Sequence, residues 1–148
     1  MAKSISKNLA EAAIVARVKY TKRYDSPFGK GPVSAEAEDE ETHDNKEYEL
    51  VDLTRPLEGD CLLELLTFED KIGKEVFWHS SAHLLGQSLE NVYGAWLCHG
   101  PPLENGFFYD SFIGEHRLSQ TDYETIEKEI KRYASEKQPY ERILLTKS

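Results

Sequence analysis

Two hydrophobic periods succeed one another along this chain. Ile5, Leu9 and Ala13 recur at i, i+4 and i+8 and predict one face of a short helix. Ile14, Ala16, Val18 and Tyr20 then alternate with Arg17 and Lys19, which predicts a strand buried on one face. Tyr48–Leu53 predicts a second strand, residues 54–60 a turn, and Cys61–Leu66 a third extended segment. Beyond that point the period lengthens. From Glu75 to Tyr93, Phe77, Leu84, Leu85, Leu89 and Val92 fall at helical spacing, and Gly94 supplies a stop. Residues 95–112 are rich in aromatics and broken by Gly100-Pro101-Pro102 and Asn105-Gly106, which predicts two strands joined by a Pro/Gly loop. Thr121 and Glu124 match a capping box for a further helix, with Ile126, Ile130 and Tyr133 inward and Glu127/Lys131 paired outward. Pro139 ends that helix, and residues 140–145 predict one more strand. The expected fold class is α+β: a very small helix-and-strand unit, then a helix packed on an antiparallel sheet.

Composition narrows the class. At 148 residues the chain has room for one compact domain or two small ones. No apolar run reaches the ~18 residues of a membrane span, and the polar N-terminus lacks a signal-peptide core. Cys61 and Cys98 make neither a disulfide framework nor a CxxC pair. These features point to a soluble, cytoplasmic chain with no membrane partner. The net charge of −9 excludes coating of nucleic acid by bulk electrostatics. A local RNA contact stays open, because the charge is uneven: residues 1–24 carry +5 and residues 25–60 carry −9. The acids cluster at Glu36-Ala37-Glu38-Asp39-Glu40-Glu41, downstream of Pro27, Gly29, Gly31 and Pro32. Residues 23–46 therefore read as a mobile acidic insertion, solvated rather than an interaction tail.

His79-Ser80-Ser81-Ala82-His83 is the segment that can carry chemistry. On a helix, i and i+4 bring both imidazoles to one face, and imidazole moves protons or holds a water near neutral pH. A metal site is disfavoured. The metalloprotease pattern needs a glutamate where Ser80 stands, and zinc needs a third protein ligand. His43 lies in the acidic insertion, His116 beside a turn, and Cys98 and His99 alternate on a predicted strand. Taken alone, the HxxxH spacing favours two ordinary helix histidines, one packed and one solvated.

The surrounding residues shift that balance. Val76-Phe77-Trp78-His79-Ser80-Ser81-Ala82-His83-Leu84-Leu85-Gly86, followed by Cys98-His99-Gly100-Pro101-Pro102-Leu103-Glu104-Asn105-Gly106-Phe107-Phe108-Tyr109-Asp110, resembles the N-terminal editing domain of threonyl-tRNA synthetase, eukaryotic cytosolic type. The resemblance runs from about residue 74 to residue 148. Upstream, residues 2–18, 51–57 and 61–66 resemble that enzyme's TGS module, a β-grasp domain, and the likeness fails over residues 21–46. Three things depart from the family. The hairpin that opens the TGS module is missing, residues 111–148 hold no cysteine for the CRGPH-like segment, and the class II and anticodon-binding parts are absent.

The resemblance implies an N-terminal piece of a synthetase: residues 1–70 an incomplete TGS-like β-grasp unit, residues 71–148 the truncated first half of the editing domain. It implies tRNA(Thr) as partner, a homodimer only for the full-length enzyme, no cofactor within this segment, and ATP, Mg and Zn for the whole enzyme. The full-length enzyme would attach threonine to tRNA(Thr) using ATP, whereas this piece alone is expected to be inactive. Serine lacks one methyl of threonine, a difference worth roughly 10–200-fold in discrimination, so a second site that hydrolyses Ser-tRNA(Thr) supplies the rest. His79 and His83 would be its catalytic residues, activating water, binding the terminal ribose and crowding out threonine's methyl. Tyr109 matches a substrate-binding tyrosine, with a plain core aromatic as the alternative. Gly100 and Gly106 are assigned to turns, Trp78 and Trp96 to a core or interface, and Cys98 to a buried position. Two other classes remain: a non-catalytic module that binds tRNA or a partner through the basic residues 1–24, and a metal-dependent alanyl-tRNA-type editing hydrolase, whose downstream CxxxH set this chain lacks.

Overall fold

The computed structural model describes residues 6–24, 48–141 and 143. Ile5, His43 and the acidic insertion from residue 25 onward lie outside the described residues. The chain divides into two compact units, residues 1–68 and 69–148.

The first unit contains α1 (Lys7–Ala12), β1 (Val15–Arg23), β2 (Glu49–Val51) and β3 (Gly59–Leu66). Ser6 caps α1, its hydroxyl accepting the Leu9 N–H at 3.3 Å. The strands form an antiparallel sheet in the order β2-β1-β3, with Ala16 opposite Val51 and Leu65, and Val18 opposite Leu63. Alternation along β1 sorts its side chains as expected. Ala16, Val18 and Val51 are buried, with Tyr20, Cys61, Leu63 and Leu65 packed against them. Val18 is only 1% exposed, and burial of such a side chain contributes about 1.5–3 kcal/mol. On the other face Arg17 pairs with Glu64 (Nε–Oε2 3.0 Å) and lies over the Tyr48 ring at 4.8 Å. The strand expected over residues 48–53 is only Glu49–Val51. Asp52 turns the chain, its carboxylate accepting the Thr54 N–H at 2.9 Å and the Thr54 hydroxyl at 2.6 Å. The strand expected from Cys61 starts two residues earlier, at Gly59, where a Cβ would lie 2.9 Å from the Cα of Arg23.

The second unit contains α2 (Lys71–Tyr93), β4 (Trp96–Leu97), β5 (Pro102–Leu103), β6 (Gly106–Phe107), β7 (Ser111–Phe112) and α3 (Gln120–Glu136). The helix expected from Glu75 begins a turn sooner, and Gly94 ends it in the left-handed region (φ 62°). Leu89, Ala95 and Ile126 form the core, with Leu85, Tyr93, Leu97, Ile113 and Ile130 around them. Three hydrogen bonds tie α2 to α3: the buried Ser88 hydroxyl donates to the Ile126 carbonyl at 3.4 Å, Asn91 Nδ2 donates to the Tyr133 hydroxyl at 2.9 Å, and the Tyr93 hydroxyl donates to the Asp122 carboxylate at 2.8 Å. Glu127 and Lys131 pair on the outer face as expected, at 3.2 Å.

Several expectations need correction here. Residues 95–112 form four two-residue strands rather than two longer ones. β4 pairs with β7 and β5 with β6, and between them the Cys98 N–H donates to Asp110 O (2.9 Å) and the Asp110 N–H to His99 O (2.7 Å). Pro101 and Pro102 have no N–H to give a ladder, yet Pro102 still stands opposite Phe107 at the start of β5. Trp96 is not a core residue: it stands 77% exposed opposite Phe112. Cys98 is exposed rather than buried. The capping box of α3 joins Ser119 and Asp122, not Thr121 and Glu124. Of the strand expected at 140–145, residues 140, 141 and 143 are outside any strand, and the rest lie outside the described residues. Among the described residues, no helix is long and apolar enough to cross a membrane.

Candidate functional site

The first requirement of the site is met by helix geometry alone. His79 and His83 lie one turn apart on α2, both exposed, with their rings stacked at a centroid distance of 4.9 Å and an angle of 23°. The second requirement is tertiary. Tyr109, between β6 and β7, turns the edge of its ring system toward His83 at 6.4 Å and 68°. Trp78 helps seat this hairpin on the helix, its ring 5.9 Å from that of Phe107. Sequence reasoning placed His79 and His83 on one helix face and named Tyr109 apart from them, and the fold places the Tyr109 ring beside His83. Neither imidazole nor the Tyr109 hydroxyl has a hydrogen-bond partner among the described residues. Three polar groups thus remain available to a ligand at one place.

Two glycines make room for that arrangement. A Cβ on Gly86 would lie 2.8 Å from Tyr109 Cε2 and 3.0 Å from Cζ. A Cβ on Gly100 would lie 2.5 Å from Cε2 and 2.9 Å from Cγ. Gly100 is therefore a contact residue rather than a turn residue, whereas Gly106, at φ 131°, does serve a turn. Gly86 was missed as a site residue. The available signal was a glycine inside a helix, three residues past His83, where it costs about 1 kcal/mol relative to alanine and so asks for a packing reason.

Imidazole pairs of this kind can accept a proton from water, orient it, or donate to an anionic oxygen. A metal is a poorer match. Among the described residues no group of three or more His, Cys, Asp or Glu side chains is placed to hold an ion. The Cys98 thiol turns away to the Trp96 carbonyl (3.7 Å). The described residues therefore do not fit a zinc or magnesium site. The basic strand is also not a bare cationic surface, since Arg17 is paired with Glu64 and Arg23 with Glu49.

A second polar cluster lies where α2 ends and α3 begins. The Asp122 carboxylate accepts from the Ser119 hydroxyl (2.6 Å), the Ser119 N–H (2.7 Å) and the Tyr93 hydroxyl (2.8 Å), and faces His116 Nε2 at 3.2 Å. The Ser119 bonds, with those from Tyr93 and His116, hold its carboxyl far below the usual carboxylate range. Burial, followed by the bond to Asp122, pushes the Tyr93 phenol up. All these groups are satisfied by one another, which marks a structural cap rather than a reactive centre.

Comparison with known proteins finds similarity over part of the chain. Over 99 residues, 67% of its length, the chain is 52% identical to human cytoplasmic threonine–tRNA ligase 2. It is a relative of the cytoplasmic threonine–tRNA ligases. Rat cytoplasmic threonine–tRNA ligase 1 is 51% identical over 65% of the chain, and a probable cytoplasmic threonine–tRNA ligase 1 of Dictyostelium discoideum 48% identical over 62%. The matched stretch spans 12, 14 and 13% of these ligases respectively. No family model matches the chain.

Proposed function

We propose that this chain is the N-terminal part of a cytoplasmic threonine–tRNA ligase, and that the His79/His83 face belongs to the half-domain that clears serine from tRNA(Thr). The observation that carries this reading is the stacked imidazole pair beside Tyr109, without a hydrogen-bond partner among the described residues, in a chain about half identical to such ligases over two thirds of its length. In the reaction, water attacks the ester carbonyl of Ser-tRNA(Thr). One imidazole takes the water's proton, the bond to the ribose oxygen breaks, and that oxygen leaves with a proton. The second imidazole orients the water or the terminal ribose, and the Tyr109 hydroxyl is free to bond the substrate. A ring at van der Waals distance from the acyl side chain would reject threonine by its extra methyl.

Residues 1–70 are assigned to a partial TGS-like unit, a reading supported by the short helix and the antiparallel three-stranded sheet. The partner is tRNA(Thr), and a homodimer is expected of the longer enzyme only. ATP, magnesium and zinc belong to the ligation chemistry of that longer enzyme. The test is a chimera in which this segment replaces the matching residues of human cytoplasmic threonine–tRNA ligase 2. His79→Ala or His83→Ala in that chimera impairs removal of serine from Ser-tRNA(Thr) and leaves threonine attachment intact. Unimpaired serine removal overturns the reading, and loss of both activities reports misfolding instead.

A further inference from the structure

We propose that Gly86 and Gly100 are positioning residues of the histidine site, acting through Tyr109. The proposal rests on the reading that the His79/His83 face is the site, and it adds how the third group is held there. Tyr109 sits between β6 and β7, where backbone bonds between Asp110 and residues 98–99 fix its main chain but leave the direction of its ring to the surfaces around it. The ring is oriented instead by two surfaces with no side chain. Gly86 opens the helix wall one turn beyond His83, and Gly100 opens the facing strand connection. A methyl group at either place would meet ring carbons at 3.0 Å or less. A contact that short must be relieved by movement; the atoms met are side-chain ring carbons of Tyr109, whereas each added methyl is fixed to the main chain, so the ring is what moves. The T-shaped approach to His83 at 6.4 Å depends on that slot. Tyr109 thereby becomes a fixed wall on one side of His83 that limits the width of the site, with its hydroxyl carried at a set height.

Helix propensity makes the proposal sharp, because it predicts the opposite sign. Gly→Ala inside a helix ordinarily stabilises. At position 86 the slot predicts destabilisation while Tyr109 is present, and stabilisation once the ring is removed. The experiment is a double-variant cycle on the 148-residue chain: Gly86→Ala, Gly100→Ala, Tyr109→Ala and each glycine variant combined with Tyr109→Ala, read by thermal unfolding. Alongside it, ring-proton NOEs are recorded between His79, His83 and Tyr109. The expected result is a lower midpoint for G86A and G100A alone, and a midpoint for G86A/Y109A above that of Y109A. In G100A the His83–Tyr109 NOE is lost while the His79–His83 NOE persists. Should either single variant fail to fold, its Tyr109→Ala combination still folds. The proposal is overturned if G86A stabilises in both backgrounds, if effects are additive, if the combined variants fail to fold, or if G100A keeps the His83–Tyr109 NOE. In the chimera, G100A should slow serine removal more than tenfold, and an unchanged rate overturns the positioning role. Failure of the functional reading is separately visible, as serine removal that survives His79→Ala while the NOE pattern still reports the slot.

Discussion

The Tyr93 hydroxyl donates to the carboxylate of Asp122 at 2.8 Å, joining the last turn of one helix to the first turn of the next. The same carboxylate closes the cap of α3 through Ser119, and His116 stacks on the Tyr93 ring at 5.2 Å while facing Asp122. One acid therefore serves both as helix cap and as the junction of two elements. Its position near the N-terminus of α3 also suits the positive end of the helix dipole.

That arrangement predicts an acid-sensitive junction. The carboxyl of Asp122 is depressed in the folded state, so its stabilisation is fully present above the unfolded value near 4 and is lost as pH falls through the folded value. The thermal midpoint of the unmodified chain should fall more steeply below about pH 4 than that of Asp122→Asn. The gap between the two, widest near neutrality, should narrow toward acid. Parallel curves would remove Asp122 as the cause.

Loss of the cap itself should be measurable at neutral pH. Ser119→Ala leaves α3 without the serine half of its capping box and costs about 1 kcal/mol, a drop of roughly 4–8 °C in a unit of this size. Thr121→Ala, at the position first expected to cap, should shift the midpoint by far less. Denaturation of the two variants side by side decides which serine or threonine opens the helix.

The two tryptophans should separate in fluorescence. Trp96 is largely exposed, whereas Trp78 is half-buried against Phe77 and Phe107. Iodide should quench Trp96 strongly and Trp78 weakly. Trp96→Phe should remove most of the quenchable emission and change stability by no more than about 0.5 kcal/mol. A large loss of stability would mean that Trp96 packs.

His79→Ala and His83→Ala should fold normally, because both rings are exposed and have no hydrogen-bond partner among the described residues. Stability is expected within about 0.5 kcal/mol of the parent. In the chimera each should slow serine removal by roughly 10²–10⁴-fold, the range for a lost general acid–base group. The 148-residue chain by itself is expected to form no threonyl-adenylate and to hydrolyse Ser-tRNA(Thr) negligibly, as judged by adenylate formation and deacylation assays.

What the sequence by itself determined is whatever depends on spacing within one element. The alternation along β1 places Ala16 and Val18 inward and Arg17 outward, the stop at Gly94 ends α2, and the i, i+4 step puts His79 beside His83. These follow from the strand and helix periods, which residues near in sequence impose on each other. Tertiary structure decided what depends on partners far along the chain. The Tyr109 ring reaches His83 only because Gly86 and Gly100, on different segments, both leave space for it. The capping box moved to Ser119 and Asp122, whose carboxylate is also bonded by Tyr93 and faced by His116. Residues 95–112 form short pairs, β4 with β7 and β5 with β6, and Trp96 faces solvent. Periodicity states which face a residue occupies, but not what stands opposite that face. The opposing surface is assembled from segments whose distance in sequence carries no signal of their distance in space.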